Sequence, residues 1–251
     1  MDTRLKLRRD LIPLQDHEIE PLNWNQNFRY PGMIRKRTIG DGSCFFHAIT
    51  DSYFDPYRLG YFKGKPITKS QIVKSLREEL AVKLGEPVDR LNPDGPRNYD
   101  ILSNGTLAEF SKEWPQYSLS HMQKELASSH AAIDNVYNEF ISNQLGKDIY
   151  LLDAENHDVR FTGDDYSLLH KQRPSIVILC LPGHYELVGI QNPNDLSIQT
   201  YFATDHPFIQ AIRQRIAQIQ SGISPMVVET TIGSQMDAVA RRENWGLKLN
   251  Q

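Results

Sequence analysis

Apolar side chains recur at Ile72, Leu76, Leu80 and Leu84, with Val73 alongside and mainly charged or polar residues between them. That four-residue period predicts an amphipathic helix over 68–84, and Thr68 followed three residues later by Gln71 supplies a capping box at its start. A second helical stretch is expected over 120–145, where Met122, Leu126, Ile133, Tyr137, Phe140, Ile141 and Leu145 share a broad apolar face. It should contain a break and end at Gly146. From there the period changes. DIYLLD at 148–153 reads as a short strand, and SIVILCL at 175–181 as a strand covered on both faces, because its apolar run is nearly continuous. Pro182-Gly183 turns the chain, HYELVGI at 184–190 follows as the antiparallel neighbour, and SIQTYF at 197–202 adds a third strand. Phe208, Ile209, Ile212, Ile216 and Ile219 then mark an amphipathic helix behind Asp205-His206-Pro207.

The other segments read differently. Residues 40–43 form a turn, with a helix expected from 44 to about 53, and the proline- and glycine-bearing stretch 85–105 reads as loop. Residues 1–35 hold Pro13, Pro21 and Pro31 around two apolar anchors, Leu22 and Trp24, and read as an irregular arm packed on the domain. Helices first and a meander of strands afterwards point to an α+β fold, with a mixed, mostly antiparallel sheet packed between helices. The division expected is an arm over 1–35, a catalytic core over 36–204, and a C-terminal helix and tail over 205–251.

Bulk properties narrow the function. A chain of 251 residues is long enough for a sizeable core, and a net charge of −3 with a pI near 6.2 argues against a nucleic-acid partner. No apolar run approaches the ~20 residues of a membrane helix, so no membrane partner is expected. The first ten residues carry four basic side chains but no apolar stretch behind them, unlike a secretory signal. Two cysteines, Cys44 and Cys180, do not make a disulfide framework, which points to a reducing, intracellular and cytoplasmic setting. The chain is expected to act as a monomer.

The chemistry concentrates at GDGSCFFHAI, residues 40–49. Cysteine reacts as thiolate, and a helix N-terminus favours that form through its unpaired N–H groups and macrodipole. Gly40 and Gly42 allow the tight turn, and N–H groups there, with that of Cys44, could receive an oxyanion. The bland alternative is a small buried hydrophobe at a helix start. A base decides between the two. His47 shares the helix with Cys44 and is poorly placed to face it across a substrate. His184 opens a strand behind a Pro-Gly turn, and Glu186, two residues on, points to the same sheet face and could orient its ring. Taken alone, His184 would read as an ordinary histidine at a strand start. Zinc is not expected: Cys180, His184 and Glu186 lack the Pro-Cys-x-x-Cys element of the zinc deaminases, and Cys180 reads as core. Neither a metal nor another cofactor is implied.

DGSCFFHA at 41–48 resembles the cysteine motif of the ovarian tumour (OTU) family of deubiquitinating cysteine proteases, and IVILCLPGHYELV at 176–188 resembles its histidine strand. Residues 125–154 match the family's helix-then-strand middle more loosely, and the resemblance spans about 36–204. It implies a papain-like fold, Cys44 as nucleophile, His184 as general base, and hydrolysis of the isopeptide bond between the ubiquitin C-terminus and a lysine. It also implies that the backbone of Asp41, with Gly42 and Cys44, builds the oxyanion hole. The family more often has Asn or Asp where this chain has Glu186, so Glu186 and Asp41 both stand as the third triad member. The partners implied are ubiquitin or polyubiquitin, with ubiquitin-like proteins open. Acidic runs at 153–158 and 162–166 match loops that help hold ubiquitin in the family, or else are solvated loops. The competing reading is a catalytically weak or inactive ubiquitin-binding module or scaffold.

Overall fold

The computed structural model describes Pro13 and residues 17–133, 135–160 and 166–222; most of the 162–166 acidic run and the tail beyond Gly222 lie outside these. Strands β1 (Ile19–Pro21) and β2 (Met33–Lys36) precede helices α1 (Cys44–Tyr53) and α2 (Asp55–Leu59), a small hairpin of β3 (Tyr61–Phe62) and β4 (Lys65–Pro66), and α3 (Lys69–Leu84). Helices α4 (Thr106–Phe110), α5 (Leu119–Ala127) and α6 (Asn138–Leu145) follow, then β5 (Asp148–Asp153), β6 (Asp158–Val159) and α7 (Tyr166–Leu169). The chain continues through β7 (Ser175–Leu181), β8 (His184–Gln191), β9 (Ile198–Gln199) and β10 (Tyr201–Phe202) to α8 (Pro207–Gln220).

Among the described residues eight strands share one sheet, ordered β1-β2-β8-β7-β5-β6, with β9 on β8 and β10 on β7. The β5–β7 pair is parallel and the others are antiparallel. Every residue of β7 is buried, because the sheet is covered on both sides. Ile176 and Ile178 join Phe46, Leu80, Met122 and Phe140 under the helices that precede the sheet. Val177 and Leu179 pack with Trp24, Phe208 and Ile212 on the other side. This is the α+β architecture expected, a mostly antiparallel sheet between helical layers. No helix among the described residues is long and apolar enough to cross a membrane.

Local signals are followed closely where they are strong. Thr68 and Gln71 make both reciprocal bonds of the capping box, an arrangement worth about 1 kcal/mol. Gly146 ends α6 in the left-handed conformation. His206 caps α8 through its ring, which accepts from the Phe208 N–H at 3.2 Å.

Three expectations are corrected. The stretch 120–145 is two helices, α5 and α6, separated by ten residues that include a short 3-10 turn at Asn135–Tyr137. The 197–202 strand is split at Thr200 into β9 and β10, which pair with different neighbours. The arm is not irregular throughout: β1 and β2 extend the sheet beside β8, while Leu22 and Trp24 are buried as anchors.

Candidate active site

The turn before α1 is built around Gly42. Its φ is +84°, and a Cβ there would lie 2.5 Å from the His130 carbonyl oxygen, so both the backbone and the neighbouring loop require glycine. Asp41 folds back over this turn. One carboxylate oxygen accepts the Ser43 N–H at 2.9 Å and the other lies 3.1 Å from His47 Nε2. His47 is fully buried, and its Nδ1 is 2.7 Å from the Tyr57 hydroxyl. Burial pushes the Tyr57 phenol up and the His47 imidazole down. A neutral ring then donates from Nε2 to Asp41 and accepts from Tyr57. His47 is therefore a brace of the turn, tied through Asp41, rather than a group facing the cleft.

Arg77 locks the turn from below. Although charged, it is fully buried on α3. Its Nη1 donates to Ser43 Oγ at 2.9 Å and reaches the Gly42 carbonyl at 3.4 Å. Nε and Nη2 donate to the carbonyls of Leu126, Glu125 and Ala131, each at 2.8 Å. The guanidinium also stacks 4.6 Å from the Phe46 ring centre. One side chain thus joins the cysteine turn, the end of α5 and the loop beyond it. The sequence carried a signal for this, since Arg77 falls four residues after Val73 and three before Leu80, on the apolar stripe itself.

Cys44 is the first residue of α1, and its side chain reaches the free flank of β8. Strand β2 pairs with β8 only as far as Lys36 opposite Leu187. Beyond that point Tyr185 lies past the end of the β2 ladder, while it still stands opposite Cys180 on β7. Its carbonyl accepts from the Thr38 hydroxyl, and its backbone favours the Cys44 thiolate. The backbones of Phe45 and Cys44 favour the thiolate too, the contribution expected of a helix N-terminus. Burial nevertheless outweighs these groups, and Asp41 adds to it, so the Cys44 thiol is pushed up. The helix N-terminus lowers the cost of the thiolate without making it the resting form.

His184 is the residue before Tyr185. Its Nε2 is 3.4 Å from Thr38 Oγ1. Thr38 has already given its only hydroxyl proton to Tyr185, so it can only accept from the ring. That places the proton on Nε2 and leaves Nδ1 as the nitrogen with a free lone pair. Thr38 was not singled out in the sequence, and nothing in its local pattern marks it. Burial, and then the charge of Arg37, push the His184 imidazole below its usual value. For His184 to act as a base it must be neutral, so an acid limb of kcat/KM set by this ring should lie below pH 6.5. Arg37→Gln removes a positive charge near the ring and should move that limb to higher pH in a pH–rate profile; an unmoved limb would exclude His184 as the titrating base.

The two candidate carboxylates separate clearly. Glu186 is fully buried, with Oε1 3.9 Å from His184 Nε2 and Oε2 3.4 Å from Arg35 Nη1. Asp41 instead spends its oxygens on Ser43 and His47. Cys44 and His184 line one cleft with Asp153, Arg160, Tyr185 and Ile219. In the acidic 153–158 run, Asp158 pairs with both arms of Arg215 at 2.8 and 2.6 Å, and Asp153 accepts the N–H groups of Glu155 and Asn156. Glu155 remains exposed. Cys180 is a free, buried thiol, pushed up to about 11 by its burial. Among the described residues no three His, Cys, Asp or Glu side chains cluster in a way that could hold a metal ion.

No family model matches this sequence, and no curated protein matches it. Solved structures similar to the chain include OTU domains. An OTU domain in complex with ubiquitin is 18% identical, with a TM-score of 0.44 over 76% of this chain and 90% of that one. An OTU deubiquitinase from Wolbachia pipientis is 14% identical, with a TM-score of 0.36 over 63% of this chain and 90% of that one. The Hazara virus OTU bound to ubiquitin is 18% identical, with a TM-score of 0.35 over 64% of this chain and 82% of its own.

Proposed function

We propose that this protein is a cysteine-type deubiquitinase that cleaves the isopeptide bond between the ubiquitin C-terminal glycine and a lysine. The observation that supports the reading is that Cys44 and His184 line the same cleft, with Tyr185, the residue after His184, among the backbone groups that favour the Cys44 thiolate. Both residues belong to segments that resemble the OTU cysteine and histidine motifs. In the reaction Cys44 attacks the glycine carbonyl while His184 Nδ1 takes its proton. The backbone N–H groups of Asp41, Gly42 and Cys44 receive the oxyanion. His184 returns the proton to the departing lysine amine, and water then hydrolyses the thioester.

Glu186 is the orienting carboxylate in this reading, and Asp41 acts through the turn it braces. Glu186→Ala should lower kcat by roughly ten- to a hundredfold, and Glu186→Gln, which keeps an acceptor, should lose less. Asp41→Asn keeps the acceptor for Ser43 and should be the mildest of the three. Hydrolysis of a ubiquitin C-terminal fluorogenic amide by the folded variants ranks them. If Asp41→Asn is the most damaging, Asp41 rather than Glu186 is the third member.

A further inference from the structure

A row of alternating charge crosses three strands on the His184 face of the sheet. Side chains two apart on a strand share a face, so His184, Glu186 and Val188 point the same way. Arg35 stands opposite Val188 on β2, and Glu20 opposite Arg35 on β1. The distances run without a gap: Glu20 Oε2 to Arg35 Nη2 is 2.7 Å, Arg35 Nη1 to Glu186 Oε2 is 3.4 Å, and Glu186 Oε1 to His184 Nε2 is 3.9 Å. The two oxygens of Glu186 thus face different partners, a cation on one side and the imidazole on the other. Side-chain exposure is 16% for Glu20, 2% for Arg35 and 0% for Glu186.

We infer that Arg35 and Glu20 are positioning residues for the reaction, which hold the Glu186 carboxylate ionised and turned toward His184. This rests on the assignment of Cys44 and His184 as the reacting pair. A carboxylate sealed from water and far from a cation takes up a proton, and a neutral carboxyl cannot stabilise the imidazolium that forms when Cys44 gives up its proton. Arg35 prevents that protonation. Alone it would also cancel the charge of Glu186, leaving nothing net to face His184. Glu20 takes the other arm of the guanidinium at 2.7 Å, so Arg35 divides its charge between two carboxylates rather than spending all of it on Glu186. The planar fork of arginine suits it to bridge two carboxylates in this way, which a lysine ammonium does less well. Among the described residues, other charged groups acting on the reacting pair include Arg37 on His184 and Asp41 and Arg77 on Cys44; the substitutions below leave all three in place.

A merely structural ion pair and a positioning row predict different kinetics. Arg35→Met, Arg35→Lys, Glu186→Gln and the Arg35→Met/Glu186→Gln double variant would be compared with wild type by thermal melt and by hydrolysis of a ubiquitin C-terminal fluorogenic amide. In folded protein, Arg35→Met should lower kcat by about ten- to a hundredfold with KM unchanged. The double variant should be no slower than Glu186→Gln alone. Should Arg35→Met not fold, Arg35→Lys takes its place, and at least a fivefold loss of kcat is expected of it. A kcat within twofold of wild type for the folded arginine variant, or losses that multiply in the double variant, overturns the inference. Alkylation of Cys44 by iodoacetamide, followed across pH by the mass of the Cys44 peptide, reads the same row without ubiquitin. Arg35→Met or Arg35→Lys and Glu186→Gln should all move its midpoint to higher pH. A shared shift in a protein that leaves ubiquitin intact keeps the row and removes the deubiquitinase reading. Profiles that coincide with wild type remove the row.

Discussion

Cys44→Ala should abolish covalent capture by an electrophilic ubiquitin probe and lower turnover by on the order of 10⁴-fold or more, because the other cysteine lining the cleft, Cys180, is held as a thiol by its burial. His184→Ala should come within about tenfold of the same loss, since nucleophile and base act as a unit. The fold should survive both changes. Cys44 loses one sulfur from a site that is 7% exposed, a truncation costing about 1 kcal/mol. His184 sits at a strand end beside a two-residue turn. Intact-protein mass after probe treatment, with thermal melts to confirm folding, reads the result. Undiminished labelling of Cys44→Ala would remove Cys44 from the role, and adduct on Cys180 would move the role there. The buried Cys180 thiol, pushed up to about 11, makes that outcome unexpected.

Arg77→Ala should be the most destabilising single change near the site, at about 3–4 kcal/mol. The substitution strips the donors from the carbonyls of Leu126, Glu125 and Ala131 and from Ser43 Oγ. It also opens a void beneath Phe46. The buried Leu126 carbonyl and the lost packing bear most of the cost, since the Glu125 and Ala131 carbonyls are only partly buried and that of Glu125 keeps the Ser128 N–H. Arg77→Lys keeps the charge but cannot span three segments at once, so about half that loss is expected of it. Urea denaturation measures both. The loop after α5 also supplies the His130 carbonyl against which Gly42 is pressed. Folded Arg77→Lys protein should therefore also react more slowly at Cys44. Stability within 1 kcal/mol of wild type for Arg77→Ala would show that water replaces the guanidinium and that the turn does not depend on it.

Much of the framework is local chemistry and was legible as such. A capping box needs only Thr68 and Gln71 three residues apart. Burial on both faces is written into SIVILCL, and Pro182-Gly183 leaves the chain little choice but to reverse. Gly146 ends a helix because its left-handed backbone is open to glycine. The candidate nucleophile and base were visible for the same reason: each sits where a turn hands the chain to a regular element, at the start of α1 and of β8. The bonding partners of these groups depend on segments far apart in the chain, and no local pattern specifies them. The ten residues between α5 and α6 leave the helix to stack on the cysteine turn, because Arg77 and Ser43 satisfy carbonyls there that a continuous helix would have kept to itself. Arg35 reads as one charge in a polar arm until β1 and β2 join the sheet beside β8. Asp41 and Glu186 stood level in the sequence. Their surroundings are set only by the tertiary structure, in which Asp41 turns inward to His47 while Glu186 lies between Arg35 and His184. Burial also reversed an expectation about Cys44: the helix N-terminus does stabilise its thiolate, but removing the sulfur from water weighs more, and how much water a side chain loses is decided only when the whole chain has folded around it.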